Sequence, residues 1–139
     1  MPELEAYLAQ PLVARVATSG PTVRPVWFLW EDGCFWWLTG SWSALAQRLA
    51  DDPVVALVVD TCDLATGRVL QVAASGAAEV VPLDRDRAVR KLTRYLGGDL
   101  SKWPARFLEP LDHPDTRLIR LLPRRRPTLR DLSFRPTSN

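Results

Sequence analysis

A run of short apolar segments, cut at close intervals by turn residues, constrains this chain more than anything else in it. Leu12 to Thr18 alternates apolar and small residues and stops at Ser19-Gly20-Pro21; Val23 to Trp30 stops at Glu31-Asp32-Gly33; Cys34 to Thr39 follows at once. Period-two runs parted by Gly, Pro and Asp read as three strands of an antiparallel meander. Pro25 falls inside the second run, which predicts a strand start, a bulge or a sheet edge. Val54 to Asp60 is continuously apolar and predicts a buried strand, with a turn over Thr61 to Gly67. Arg68 to Val81 predicts a long strand interrupted at Ser75-Gly76, where a bulge or sharp coil would curl a small sheet. Thr116 to Leu122 is a further strand, Pro123 to Arg126 a basic turn, and Thr128 to Phe134 an edge strand.

Helices fall between these strands. Glu3 to Gln10 carries Leu4 and Leu8 at helical spacing and is broken by Pro11. Gly40 to Ser43 leads into a helix ending near Ala50, whose Trp42, Leu45 and Leu49 form one apolar stripe. Asp84 can cap a helix running to about Leu96, with Ala88, Val89, Leu92 and Leu96 facing inward. Its opposite face, Arg85, Arg87, Arg90, Lys91 and Arg94, reads as solvated. Lys102 to Leu111 is a short helix. The expected architecture is mainly β with α decorations, an antiparallel β-barrel forming one domain over residues 1–139.

Composition removes several function classes. Among 139 residues there is one histidine, His113, in a turn-like Leu-Asp-His-Pro-Asp, and two separated cysteines, Cys34 and Cys62. That set cannot make the usual zinc constellations, and any Ser-His-Asp scheme would have to run through His113. No metal site is expected. A net charge of +2 lacks the concentrated basic field of a nucleic-acid binder. No apolar run reaches the roughly 20 residues of a membrane span, and the start Met-Pro-Glu-Leu-Glu lacks the pattern of a signal peptide. Cysteines without disulfide spacing point to a reducing cytoplasm. The unusual feature is tryptophan: five of the six fall between Trp27 and Trp42, marking a heavy core or a surface for a flat ligand.

Two segments could bind such a ligand. Thr39-Gly40-Ser41-Trp42-Ser43 stands at a strand-to-helix junction, where free N–H groups attract phosphate; plain capping by Ser41 or Ser43 explains the same residues. Along Arg24 to Trp30 a flat ring could lie on an aromatic strand, which reads equally well as a strand packed on both faces. Arg124-Arg125-Arg126 reads as a plain surface run, with contact to a phosphate as the alternative. No side chain stands out as a general acid or base, so the catalytic residues are unknown.

The ordered set Ala14-Arg15-Val16-Ala17-Thr18, Arg24-Pro25-Val26-Trp27-Phe28, Thr39-Gly40-Ser41, Arg48-Leu49-Ala50-Asp51-Asp52-Pro53, Gly76-Ala77-Ala78-Glu79-Val80 and Ile119-Arg120-Leu121-Leu122-Pro123 resembles the flavin- and deazaflavin-binding split β-barrels of the pyridoxamine 5'-phosphate oxidase-like kind. The resemblance covers about residues 4 to 134, by order and spacing. It implies a homodimer holding FMN or a deazaflavin (coenzyme F420) in a groove between subunits, and hydride transfer to a small, planar substrate. Val26, Trp27 and Phe28 would line the ring, and Thr39, Gly40, Ser41 and Ser43 would hold the phosphate end, with Arg48 at the groove or in solvent. One departure stands out. The family's phosphate-binding lysine is replaced by Leu45, and the residue before it is Ala44. Leu45 in register with Leu49 looks like core. The departure keeps two other readings open: a binding module that sequesters a cofactor, tetrapyrrole or hydrophobic ligand without turnover, or a barrel that has lost its ligand.

Overall fold

Why the chain curls is visible in how its strands share neighbours. The computed structural model describes residues 3–135. In chain order it runs α1 (Leu4–Leu8), β1 (Val13–Thr18), β2 (Thr22–Trp27), β3 (Leu29–Glu31), β4 (Cys34–Thr39), α2 (Leu45–Asp51), β5 (Val54–Asp63), β6 (Arg68–Pro82), α3 (Arg85–Leu96), a single 3-10 turn at Leu100–Lys102, α4 (Ala105–Asp112), β7 (Arg117–Leu121) and β8 (Arg130–Asp131). The sheet order is β2-β1-β5-β6-β7-β4-β3, all pairs antiparallel, with β8 added to β6. β6 is the hinge of the arrangement. Its first part pairs Arg68–Ala77 with β5, and its second part pairs Ala78–Pro82 with β7. One long strand that changes partner midway turns the sheet through a corner, and the result is a split β-barrel.

Gly76 sits at that corner, but β6 runs through it unbroken. The expected interruption at Ser75-Gly76 is therefore absent. The glycine answers a different need: a Cβ there would lie 2.5 Å from the carbonyl oxygen of Leu122. The chain after β7 crosses β6 at this point, and Arg124 N–H donates to the Ser75 carbonyl at 2.9 Å. Only a residue without a side chain lets two backbones pass so closely.

The strand expected over Val23 to Trp30 is split in two at Phe28, which is fully buried. The break lets β2 and β3 end opposite edges of the sheet while remaining consecutive in the chain. The Tyr95 hydroxyl fastens this corner, donating to the Leu12 carbonyl at 2.7 Å and accepting Phe28 N–H at 3.1 Å. On β4, Phe35 and Trp37 face the barrel core with Val16, Leu57 and Val72. Cys34 and Trp36 face the other way, onto Leu29 and Leu118. A third apolar cluster joins α3 to α4 through Leu92, Trp103 and Leu111.

α3 begins as its sequence predicts, with the Asp84 side chain accepting Arg87 N–H at 3.2 Å, and it ends at Gly97 with φ of 88°. Its basic face is not a solvated stripe. Arg87 and Arg90 both bond Glu31, at 2.9 and 2.7 Å, and the Arg87 guanidinium lies 3.7 Å from the Trp36 ring. These bonds, that from Arg90 foremost, hold the Glu31 carboxyl below its ordinary range. Lys91 is buried and makes no hydrogen bond or ion pair among the described residues. Desolvation lowers its pKa from 10.5 to about 8.

Lys91 carries a pH signature. The unfolded chain keeps the Lys91 proton up to about pH 10.5, whereas the folded chain releases it near pH 8. Between these values the unfolded state binds more protons, so stability rises with pH across the window, and below pH 8 the full cost of the buried charge is felt. Lys91→Met should therefore raise the melting temperature at pH 7 and flatten the rise between pH 8 and 10.5. Thermal unfolding of parent and variant over that range checks it; a variant less stable than the parent at pH 7 contradicts it.

Candidate functional site

A strand presents alternate side chains to opposite faces, and this phase decides which residues meet in the barrel mouth. Thr18 and Thr22 are paired across the β1–β2 turn, and Arg24 and Val26 follow on the same face of β2. Together with Trp37 and Thr39 of β4, and with Ser43, Leu45 and Arg48 at α2, they enclose a cavity of about 310 Å³. Four of the expected site residues, Val26, Thr39, Ser43 and Arg48, thus come together.

The other four lie elsewhere. Trp27 is on the opposite face of β2 from Val26, stacked on Tyr95 at 4.4 Å between ring centres and on Phe107 at 5.2 Å. Phe28 is buried in the barrel core against Phe35. The Ser41 hydroxyl donates to Asp115 at 3.2 Å, at the surface. Gly40 lies beneath the Trp42 ring, where a Cβ would come within 2.1 Å of it. The expected Trp42–Leu45–Leu49 helical stripe also needs correction. α2 begins only at Leu45, and Trp42 is 59% exposed on the rim of the cavity. Leu45 itself is half-buried, packing against the barrel core while lining the cavity.

Ser43 caps in its own way. Its N–H donates to the Gly40 carbonyl, closing a turn, and its hydroxyl accepts Leu45 N–H at 3.1 Å. Ser43 therefore satisfies an N–H at the helix start, as the capping reading expects, and also lines the cavity.

The cavity's electrostatics are one-sided. Its lining holds Arg24 and Arg48 and no carboxylate, histidine, cysteine or lysine. Among the described residues neither arginine pairs with a carboxylate; Arg48 Nη1 reaches only the Ser19 carbonyl, at 3.5 Å. Trp37 and Thr39, which also line the cavity, carry atoms, Nε1 and Oγ1, that are buried with no hydrogen-bond partner among the described residues. By contrast, Trp30 donates to Glu5, Trp36 to the Glu31 carbonyl and Trp103 to the Gly97 carbonyl. Thr116 Oγ1 and Arg120 Nε, outside the cavity, are likewise buried without a partner among the described residues, so such atoms are not peculiar to this wall. The sequence singles out Arg24 only as the start of the Arg24 to Trp30 strand, not as a contact for an anion, and does not single out Trp37 as a site residue. The period-two phase of β2, with Val26 and Arg24 on one face, is the signal that finds Arg24.

The arrangement suits an anion joined to a flat or apolar body: guanidinium groups for the charge, an indole on the rim, and no side chain to move protons. Elsewhere, His113 lies in an exposed turn, its Nδ1 accepting Asp115 N–H at 3.1 Å. Cys34 is buried and Cys62 exposed, both free. Among the described residues no group of three or more His, Cys, Asp or Glu is placed to hold a metal ion. Among the same residues no helix is long and apolar enough to cross a membrane.

Comparison with known proteins follows the same outline. A family model described as pyridoxamine 5'-phosphate oxidase matches residues 1–128. Among solved structures, a conserved hypothetical protein from Mycobacterium tuberculosis is similar at a TM-score of 0.73 and 20% identity, covering 94% of this chain and 82% of that one. The heme storage protein HutZ from Vibrio cholerae is similar at a TM-score of 0.66 and 14% identity, covering 92% of this chain and 91% of that one. A protein described as F420 reductase is similar at a TM-score of 0.59 and 25% identity, covering 94% and 98%. No curated protein matches the chain at a significant level. A family model that spans nearly the whole sequence, on a sheet that curls as a split barrel, leaves one assignment: the chain belongs to the pyridoxamine 5'-phosphate oxidase family.

Proposed function

We propose that this chain binds a phosphate-bearing flavin or deazaflavin, FMN or F420, in the cavity between β1, β2, β4 and α2, and works as a redox protein on a small planar substrate. The observation that carries the reading is a cavity lined by Arg24, Arg48 and Ser43, in which neither arginine pairs with a carboxylate among the described residues. The residues present fit such a group. Arg24 and Arg48 would hold its anionic end, Ser43 and Thr39 would add hydroxyl contacts, and Val26 and Trp42 would flank its apolar part. When bound, the cofactor supplies the hydride chemistry; the protein supplies position and electrostatics. That division of labour suits a lining with no general acid or base.

The cavity also argues for a partner copy. About 310 Å³ is at the lower limit for ligand pockets, enough for one end of the cofactor. A second chain would close the remainder, in keeping with the outward sheet face, where Val23 is 66% and Val54 43% exposed. The exposed free thiol of Cys62 fits a reducing, cytoplasmic setting.

A second reading, a carrier without turnover, is favoured by that same lack of proton-moving groups, and a heme storage protein shares the fold. Two measurements separate the cases. Titration of the apo-protein with FMN and F420 side by side should give saturable binding of at least one, and sedimentation at micromolar concentration should give a dimer. Turnover of reduced cofactor with an electron acceptor distinguishes the enzyme from the carrier. A monomer that binds neither cofactor removes the proposal.

A further inference from the structure

Resting on the cofactor reading but reaching past it, we infer that the cation for the ligand's phosphoryl group has moved along α2, from the position now held by Leu45 to Arg48. Residues three apart on a helix share a face, so a side chain at 48 points to the same side as one at 45. Both line the cavity. Leu45 gives part of its surface to the barrel core and cannot donate a hydrogen bond. Arg48 is longer than lysine, and its planar guanidinium offers several donors to phosphate oxygens.

The state of Arg48 fits this task. It has no carboxylate partner among the described residues, and its one polar contact is a 3.5 Å approach to the Ser19 carbonyl. A Cβ on Gly20 would lie 2.8 Å from its Nη1, so the guanidinium rests against the β1–β2 turn. Arg24 lines the same cavity from β2 and likewise has no carboxylate partner among the described residues. Two uncompensated cations in one cavity gain from an anion bound there. Ser43, at the start of α2, lines the same cavity and adds a hydroxyl. The group that suits two cations and a hydroxyl is a phosphate monoester or an equivalent dianion.

The test uses inorganic phosphate first and flavins second, because the anion site and the cofactor reading can fail separately. Thermal unfolding of the whole chain is followed in phosphate and in chloride at equal ionic strength, for the parent, Arg48→Ala and Arg48→Gln. Glutamine keeps a donor for the Ser19 carbonyl but no charge, so it controls for loss of that contact. FMN and riboflavin, which differ by the phosphate, are then titrated into each. The expected result is stabilisation of the parent by phosphate that both variants lose. With it should come a drop of about tenfold or more in FMN affinity, with riboflavin affinity unchanged. Leu45→Lys added to Arg48→Ala should restore most of the FMN affinity, since it returns a cation to the same wall. Phosphate stabilisation lost in the variants in a protein that binds no flavin supports the anion site and removes the cofactor reading. An FMN-to-riboflavin preference that survives in Arg48→Gln overturns the inference even if flavin binds tightly. So does a parent indifferent to phosphate.

Discussion

A Ser43→Asp chain should hold FMN at least about a hundredfold more weakly than the parent while melting within about 2 °C of it. The two halves of this expectation come from different contacts of one side chain. The Ser43 hydroxyl accepts Leu45 N–H at the start of α2, and an aspartate carboxylate accepts that bond at least as well. The fold therefore survives. The same side chain lines the cavity with Arg24 and Arg48. A carboxylate there neutralises the arginines that should meet the ligand and repels the ligand's own charge. Loss of a hydrogen bond to a charged group is worth about 1.5–3 kcal/mol, and repulsion at a half-buried position adds to it. Riboflavin, lacking the phosphate, should be affected much less. Equal FMN affinity in a folded variant would mean that Ser43 is a helix cap and nothing more.

Gly76→Val should lower the melting temperature by about 10 °C or prevent folding. The Cβ has no free direction, because its nearest neighbour is the Leu122 carbonyl oxygen at 2.5 Å, a backbone atom that cannot rotate away. Relief requires that the 122–124 segment shift, and that breaks the Arg124 N–H bond to Ser75. Overpacking a tight site costs about 1–3 kcal/mol, and displacing paired backbone adds more. Gly98 is the control. A Cβ there meets nothing within 4 Å, so Gly98→Ala should be close to neutral. Circular dichroism melts of both variants settle the matter, and a Gly76→Val chain as stable as the parent would show that the crossing of β6 is looser than its distances imply.

The places of the strands along the chain and their antiparallel pairing were legible in the sequence because each strand is bounded by its own turn residues. Cys34 to Thr39, flanked by Gly33 and Gly40, matches β4 at both ends. The split at Phe28 was not legible, because nothing in Trp27-Phe28-Leu29 breaks a strand. The bend is fixed from outside, by the Tyr95 hydroxyl on an element far along the chain. The same holds for the face of α3. Five basic residues look solvated in isolation, and only tertiary packing shows that Glu31 lies opposite Arg87 and Arg90.

Of the expected site residues, Val26, Thr39, Ser43 and Arg48 line one cavity, whereas the side chains of Trp27 and Phe28 lie against the helices and in the barrel core. Adjacent residues on a strand point to opposite faces, so at most alternate ones can share a wall. Applying that rule along β2 puts Arg24 with Val26 and Trp27 with the helices. Trp42 was misplaced for a related reason. Helical spacing to Leu45 and Leu49 suggested packing, whereas the helix starts after it and the indole lies across Gly40 on the rim.

Pro25 has a bearing on how copies of this chain can meet. It sits in the middle of β2, the terminal strand of the sheet path, opposite Arg15 of β1. Proline is tolerated on such a strand where its nitrogen faces away from the partner, so the outer rail of β2 lacks one donor halfway along. A strand arriving from another molecule would find a gap in the ladder it needs to extend. Runaway edge-to-edge stacking, the common hazard of small sheets, is blocked at this border by a single ring. A pairing of two copies that avoids this border would use the broad faces of the sheet, where contact can close on itself rather than propagate.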